Sequence, residues 1–426
     1  MFKILPFIVA RGLFSFLYWM IFAYFPIFLK SYGIKDTQIG LVIGSYSFAA
    51  LSLMIPIGLF SDRLSSKKLL LFCSSLFTLH FLALTTAKTF LPILISVILG
   101  GFGAGGLIII LPTLFLKYVG SKGKEIAYFQ ASSCLGYALG PFCGGILLEH
   151  FPINSLFYLA ILAGIIFIMD ITLLPDMPPT VFLFKDYYQD LKNPFVWMLM
   201  GSILILGIHF GIERVNLSLY MKIKLNTESF YIGFFFTLIG IWMAIISPLL
   251  GYLKGIKNRA FSWLGISLFL SGVFQGITGL TTTFKSFVLV RLIHTTGDSL
   301  TLLETSLLTA LLFPSQRLGG HSGLLFTIRT GATFLGATIA GIINQNFGYA
   351  LPFIISGCLS ISWAFFLIFF QNKNFLIDKS FQKGNINLSK KEGKGNEKVF
   401  DLFNGRVILS NFGRNRMQKE RGSNNT

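Results

Sequence analysis

The sequence predicts an all-α membrane protein, with twelve transmembrane helices in two pseudo-symmetric six-helix halves. Three observations predict it. Of 426 residues, 54% are hydrophobic and only 12% are charged, about half the charge of an ordinary soluble domain. Apolar segments of spanning length, about 20 residues or more, recur twelve times along the chain. Finally, Gly136, Gly140 and Gly144 are echoed by Ala332, Gly336 and Ala340, each 196 positions further on.

The first half, residues 1–174, holds segments at 6–30, 38–61, 69–86, 91–116, 126–148 and 153–174. The second, 194–370, holds 195–221, 230–253, 260–281, 286–313, 322–346 and 350–370. Between them, residues 175–193 are Pro-rich and then amphipathic and charged, and read as a cytoplasmic linker. Residues 371–426, rich in Asn, Lys and Gly, read as a disordered basic cytoplasmic tail. The halves echo each other a second time: Gly40 and Gly58 stand eighteen apart in helix 2, as Gly233 and Gly251 do in helix 8. Parallel six-helix repeats related by an axis along the membrane normal are a transporter architecture.

Helix 1 reads as a retained span and not a cleaved signal, because Arg11 interrupts it and no small-residue cleavage site follows. Arg11, and Arg329 in helix 11, lie near enough to the inner surface to snorkel. Helix 1 is also loaded with aromatics, among them Tyr18, Trp19, Phe22, Tyr24 and Phe25. Trp19, with Trp242 of helix 8, is a candidate wall of an apolar pocket.

The formal charge of +18 invites a nucleic-acid reading, but its distribution argues against one. The tail alone holds twelve Lys and Arg against five acids, a net +7, and most of the rest lies in loops. With the N-terminus inside, inner loops collect thirteen basic residues and outer loops six, which places both termini in the cytoplasm. The expected location is a multi-pass plasma (inner) membrane protein, a monomer partnered by the lipid bilayer and with no nucleic acid. Cys73, Cys134, Cys143 and Cys358 all fall in apolar runs, so neither a disulfide nor a metal site is expected.

Helix 5 contains Gly136-Tyr-Ala-Leu-Gly-Pro-Phe-Cys-Gly-Gly145. Glycines every four residues leave one helix face bare, which lets a second helix approach closely in lipid, and Pro141 should bend the helix. The stretch resembles the fifth-helix motif of the major facilitator superfamily, Gly-x-x-x-Gly-Pro-x-x-Gly-Gly, which that family associates with antiporters. The loop Gly58-Leu-Phe-Ser-Asp-Arg-Leu-Ser-Ser-Lys-Lys68 is similar to the same family's Gly-x-x-x-Asp-Arg-x-Gly-Arg-[Arg/Lys]. Gly58, Asp62, Arg63 and Lys67 match, while Ser65 and Ser66 depart from it. The resemblance implies alternating access by two rocking halves, with Gly136, Gly140, Pro141, Gly144, Gly145 and Gly336 as hinge or packing positions. It also implies a latch in which Asp62, beside Arg63, docks on the start of helix 11 near His321.

An ionisable group inside a span costs about 2.5–3.5 kcal/mol on insertion scales, so each needs a reason. Helix 7 carries His209, Glu213 and Asn216 along one face, with Arg214 about 100° round it. Helix 10 carries Arg291, His294, Asp298 and Thr301 along another. Both stripes read as cavity walls, and the resemblance agrees, since helices 1, 4, 7 and 10 line that family's central path. Glu213 and Arg291 fall at similar depth and would pair across the cavity, either as part of a working site or as a static ion pair joining helices 7 and 10. Asp298, Glu213 and His294 are the candidate proton-coupling groups, with Asp298 the principal carrier. Arg291 and Arg214 are candidate gate charges, and His209, Asn216 and Thr301 candidate cavity residues.

No Walker loop or metal-ligand motif supplies ATP energy or another chemistry, so no cofactor and no enzyme activity are expected. The expected function is secondary transport of a small molecule, namely proton-coupled export of a lipophilic compound or metabolite. The alternative is proton-coupled uptake of an organic anion or sugar, for which Arg11, Arg214, Arg291 and Arg329 would supply cationic contacts.

Overall fold

In lipid a backbone N–H or C=O finds no water, so each spanning segment must satisfy its own polar groups as a helix. The computed structural model describes residues 4–61, 65–119, 123–176, 190–251, 260–313 and 318–374, and among these the long elements are all helical. Helix α1 (Leu5–Phe22) breaks at Ala23–Tyr24 and resumes as a short helix, Phe25–Ser31. Pro26 explains the break: it has no N–H to give, and its ring would clash with the carbonyl four residues back, that of Phe22. Helices α2 (Asp36–Ser61), α3 (Ser66–Thr86), α4 (Phe90–Val119), α5 (Gly123–His150) and α6 (Ser155–Thr172) complete the first half. The second comprises α7 (Pro194–Leu219), continued by a π-helical turn at Tyr220–Lys224, then α8 (Ser229–Gly251), α9 (Ala260–Thr278), α10 (Phe284–Leu312), α11 (Leu318–Phe347) and α12 (Leu351–Asn374).

Side chains fix several of the starts. Asn193 accepts from Phe195 N at 3.0 Å, with Pro194 in the first turn of α7. Thr283 and Ser286 form a reciprocal capping box at α10. By length and composition, eleven of the described helices can cross a membrane. Helix α10 falls short because Arg291, His294, Asp298 and Glu304 interrupt its apolar run. The linker residues 177–189 and the tail from 375 lie outside the described residues.

Packing repeats between the halves: α1 lies on α5 as α7 lies on α11, and α3 lies on α4 as α9 lies on α10. The halves meet along two pseudo-equivalent pairs, α2 with α11 and α5 with α8. We call the end of the bundle where α1 begins the terminal end, and the opposite one the far end. Towards the far end, a Cβ on Gly40 would sit 2.5 Å from Ala337 O and 2.7 Å from Gly341 Cα, so backbone touches backbone there. On the other seam, Thr237 Oγ1 donates to Ala138 O at 2.8 Å, and Gly233 rests against Pro141 O.

One expectation is corrected here. The bare face of α5 is read from sequence as the surface on which the halves rock. Instead, a Cβ on Gly136 would strike Gly12 O, and one on Gly140 would strike Phe16 O, both on α1 of the same half. Their echo Gly336 presses in the same way on the Ile208 backbone of α7. The glycine seams therefore join helices within each half. Pro141 stands one residue on from Gly140, about 100° round the helix, and it is that face which meets α8. Gly144 lies against the Tyr24 ring, and Gly145 against the Tyr24 hydroxyl and Ser229 O.

Candidate functional site

The charged stripes of α7 and α10 lie side by side. Arg291 Nη2 stands 2.6 Å from Glu213 Oε1, an ionic contact whose angle lies outside hydrogen-bonding range. His209 Nε2 bridges the two carboxylates, 3.3 Å from Glu213 Oε1 and 3.6 Å from Asp298 Oδ2. His294 does the same from its own helix, with Nε2 at 3.7 Å from Glu213 and Nδ1 at 3.6 Å from Asp298. The two imidazoles stack with centroids 5.0 Å apart and planes 16° apart.

Neighbouring helices hold the set in place. From α9, Ser271 Oγ donates to Asp298 Oδ1 at 2.7 Å, and Gln275 Oε1 accepts from Arg291 Nη1 at 2.7 Å. From α12, Ser356 Oγ meets His209 Nδ1 at 3.1 Å. With both histidines neutral, two carboxylates and one guanidinium leave one negative charge in a buried cluster. One added proton makes the cluster neutral, and the groups are close enough to share it and titrate as a unit. His209, Glu213, His294 and Asp298 each also offer one donor atom within 4.8 Å of the others. Two imidazoles and two carboxylates suit a divalent transition metal by donor type, although Arg291 already occupies Glu213 Oε1.

The cluster opens onto a central cavity of about 400 Å³. Its walls come from both halves: Tyr18 and Trp19 of α1, Tyr46 of α2, Tyr137 of α5, Phe210 of α7 and Phe236 of α8. From mid-bundle it reaches Met54, Leu302 and Arg329 on the terminal side. At the far side two clasps join the halves. Tyr24 OH donates to Pro141 O at 2.8 Å, with Ser229 O at 3.1 Å. Tyr349 OH reaches Asp36 Oδ2 and Oδ1 at 3.1 and 3.2 Å, Lys30 Nζ holds Asp36 Oδ1 at 2.8 Å, and Asp36 N donates to Gln345 Oε1 at 3.1 Å.

Glu213, Arg214, Arg291, Asp298 and Trp19 line the cavity, whereas four residues assigned to it from sequence do not. His209 is turned towards Ser356 of α12. Asn216 donates to Tyr349 O at 2.8 Å and accepts from Asn344 Nδ2 at 2.9 Å. Thr301 Oγ1 donates to Ser267 Oγ of α9 at 2.8 Å, and Trp242 Nε1 donates to Thr296 Oγ1 at 3.0 Å. The reason is angular. At about 100° per residue, Asp298 and Leu302 stay within about 20° of Arg291. Thr301 falls about 80° to one side and His294 about 60°, where α9 covers them. On α7, His209 and Asn216 fall about 40–60° to the side of Glu213 away from Arg214.

Arg329, read from sequence as snorkelling to the inner surface, instead lines the cavity, its guanidinium 4.2 Å from the Phe326 ring centre. The signal for it was an arginine within a span with no acid on its own face. Glu304 is fully buried, and neither carboxylate oxygen has a hydrogen-bond partner among the described residues. Asp62 and Arg63 lie outside the described residues. His321, the neighbour proposed for Asp62, meets Asp190 Oδ2 of the linker at 2.8 Å and stacks on Phe313.

Comparison with known proteins fits this geometry. The sequence pattern of the Major Facilitator Superfamily matches residues 7–261 and 199–412. The chain is similar to an uncharacterized MFS-type transporter, MJ1560, of Methanocaldococcus jannaschii, 27% identical over 357 residues that cover 79% of this chain and 89% of that one. It is also similar to the quinolone resistance protein NorA of Staphylococcus aureus, 24% identical over 329 residues, covering 75% and 84%. Among solved structures, the nucleoside transporter NupG superposes with a TM-score of 0.66 over 86% of this chain and 98% of its own, at 16% identity.

Proposed function

Because this chain belongs to the major facilitator superfamily, whose members are membrane transporters and not enzymes, we propose that it exports a lipophilic organic compound by alternating access in exchange for protons. The observation that carries this reading is the buried set of Glu213, Asp298, His209, His294 and Arg291 opening on the central cavity. The family's other work, binding and moving a small molecule, needs a cavity walled by both halves, and one of about 400 Å³ is present.

Coupling follows from the charge count. With both histidines neutral the cluster is one proton short of neutrality, and burial makes an unbalanced charge expensive. Which carboxylate holds the proton depends on whether Arg291 stays on Glu213, so a rearrangement of α7 against α10 changes proton affinity. Any group whose proton affinity differs between two states can couple proton flow to the change of state. Asp298 is the proposed principal carrier, with Glu213 and His294 its partners. The similarity to a quinolone resistance protein and the helix 5 motif favour export over uptake. We place the protein in the plasma (inner) membrane as a monomer with both termini in the cytoplasm, so the far end faces outward and the cavity inward.

A second reading, a divalent cation in place of the proton, is favoured by the four donor atoms within 4.8 Å. The experiment that tests the first is accumulation in proteoliposomes, using a panel of anionic, neutral and cationic lipophilic dyes. An imposed pH gradient, at fixed membrane potential and in the presence of a chelator, should drive at least one dye uphill. Accumulation of every dye independent of the gradient would overturn the coupling.

A further inference from the structure

We propose that the cavity is selective for organic anions, with a flat aromatic body among Tyr18, Trp19 and Tyr137 and an oxyanion head between Arg214 and Arg329. The assignment deepens the transport reading of the same cavity and rests on it. The argument begins with charge. Three arginines and two acids face this space: Arg214, Arg291, Arg329, Glu213 and Asp298. Glu213 is engaged by Arg291 at 2.6 Å, and Asp298 by Ser271 and the two histidines. Arg214 and Arg329 are left, and neither has a carboxylate within salt-bridge distance among the described residues. They come from different helices, α7 and α11, yet line the same cavity. Two uncompensated cations in mid-membrane are costly, and each such group calls for a partner.

The geometry says what kind of partner. Arg214 Nη1 donates to Ser47 Oγ at 3.0 Å, and its guanidinium lies 5.7 Å from the ring centres of Tyr18 and Phe22. Arg329 packs on Phe326 at 4.2 Å. A guanidinium lying over a ring still presents N–H groups at its edge, which can grip two oxygens at once; on Arg214, Nη1 is given to Ser47 and the other N–H groups remain for an anion. Carboxylates, sulfonates and phosphates present that pair of oxygens, and bidentate contacts of this kind are the strong ones. The remaining wall is aromatic, which suits a flat apolar body. A lipophilic cation would meet both guanidiniums and be repelled. Because Arg214 is on α7 and its supports Ser47, Tyr18 and Phe22 are in the other half, the anion head would sit where the halves face each other.

The test uses purified full-length protein in lipid nanodiscs, without any gradient, and three probes of one shape. These are 2-naphthalenesulfonate, its neutral sulfonamide, and (2-naphthylmethyl)trimethylammonium. Binding is read by isothermal titration and by quenching of tryptophan fluorescence. The sulfonate should bind about tenfold more tightly than the sulfonamide, the scale of one bidentate charged contact, and the cation more weakly than both. Arg329→Gln and Arg214→Gln should each abolish the preference for sulfonate while leaving sulfonamide affinity unchanged, and Arg329→Lys should restore part of it. Equal affinity for sulfonate and sulfonamide, tighter binding of the cation, binding of none of the three, or a preference that survives both Gln variants would overturn the assignment. Melting temperatures of the Gln and Lys variants distinguish lost contacts from lost folding. Since no gradient is present, a failure of proton coupling leaves these outcomes untouched, and the two readings fail separately.

Discussion

Tyr349→Phe removes one oxygen atom from the far-end clasp and leaves the ring in place. In the structure that hydroxyl reaches both oxygens of Asp36, at 3.1 and 3.2 Å, across the junction of the two halves. Asp36 is buried, 6% exposed, and its carboxylate partner Lys30 comes from its own half and stays when the clasp opens. Opening parts Asp36 N from Gln345 Oε1 as well, but that backbone contact is the same in the variant, so the difference between the two proteins is the tyrosine contact alone. A hydrogen bond to a charged acceptor contributes about 1.5–3 kcal/mol, and the lower end applies here because the Tyr349 side of the contact is only partly buried. About 1.4 kcal/mol corresponds to a tenfold change in an equilibrium ratio, so the variant should favour the far-open state by about tenfold. The assay uses Leu217→Cys, a cavity position, in a background with Cys73, Cys134, Cys143 and Cys358 replaced. Labelling by an impermeant maleimide from each side of oriented vesicles reports the two states. An unchanged ratio of far-side to terminal-side labelling would refute the clasp. So would additive shifts in Tyr349→Phe combined with Asp36→Asn, because two partners of one contact cannot each be lost twice.

Two further predictions concern the frame and the cluster. Gly140→Val forces side-chain atoms onto Phe16 O of α1, so it should cost about 1–3 kcal/mol of stability, read as a lowered melting temperature, and Gly336→Val should match it against Ile208. A normal melting temperature in either would mean that the seams do not pack as described. A chelator should leave gradient-driven transport unchanged, and added zinc should not raise the melting temperature of the unmutated protein. Loss of transport on chelation, restored by zinc, would favour a metal in the cluster over a proton.

How much was legible in the sequence differs by kind of feature. Twelve apolar runs and the 196-residue echo of Gly140 at Gly336 announce two repeated halves, because lipid allows a spanning chain little but helix. Glu213, Arg291, His294 and Asp298 stood out because charge in a span is rare, and the structure brings these four together. Which way their neighbours faced was less legible. A stripe such as Arg291 to Thr301 is wide enough for α9 to cover its edge, and nothing in α10 alone says where α9 lies. The same limit misdirected the glycine seam, since a bare helix face does not say which helix will fill it. Asp36, Gln345 and Tyr349 were not legible at all, because ordinary loop-end residues become a clasp only once α2 and α11 are adjacent.

In the proposed mechanism Asp298 carries the proton that drives transport. The measurement that tests it most directly compares pH-jump-driven accumulation with counterflow exchange for Asp298→Asn in proteoliposomes, using whichever dye the unmutated protein concentrates. Asparagine keeps the size of the side chain and its contact with Ser271, which lies 2.7 Å away, but cannot take up or release a proton. Gradient-driven accumulation should be lost in Asp298→Asn while counterflow exchange persists. If the variant still concentrates the dye under a proton gradient, the carrier moves to Glu213 or to the buried Glu304, whose carboxylate has no hydrogen-bond partner among the described residues.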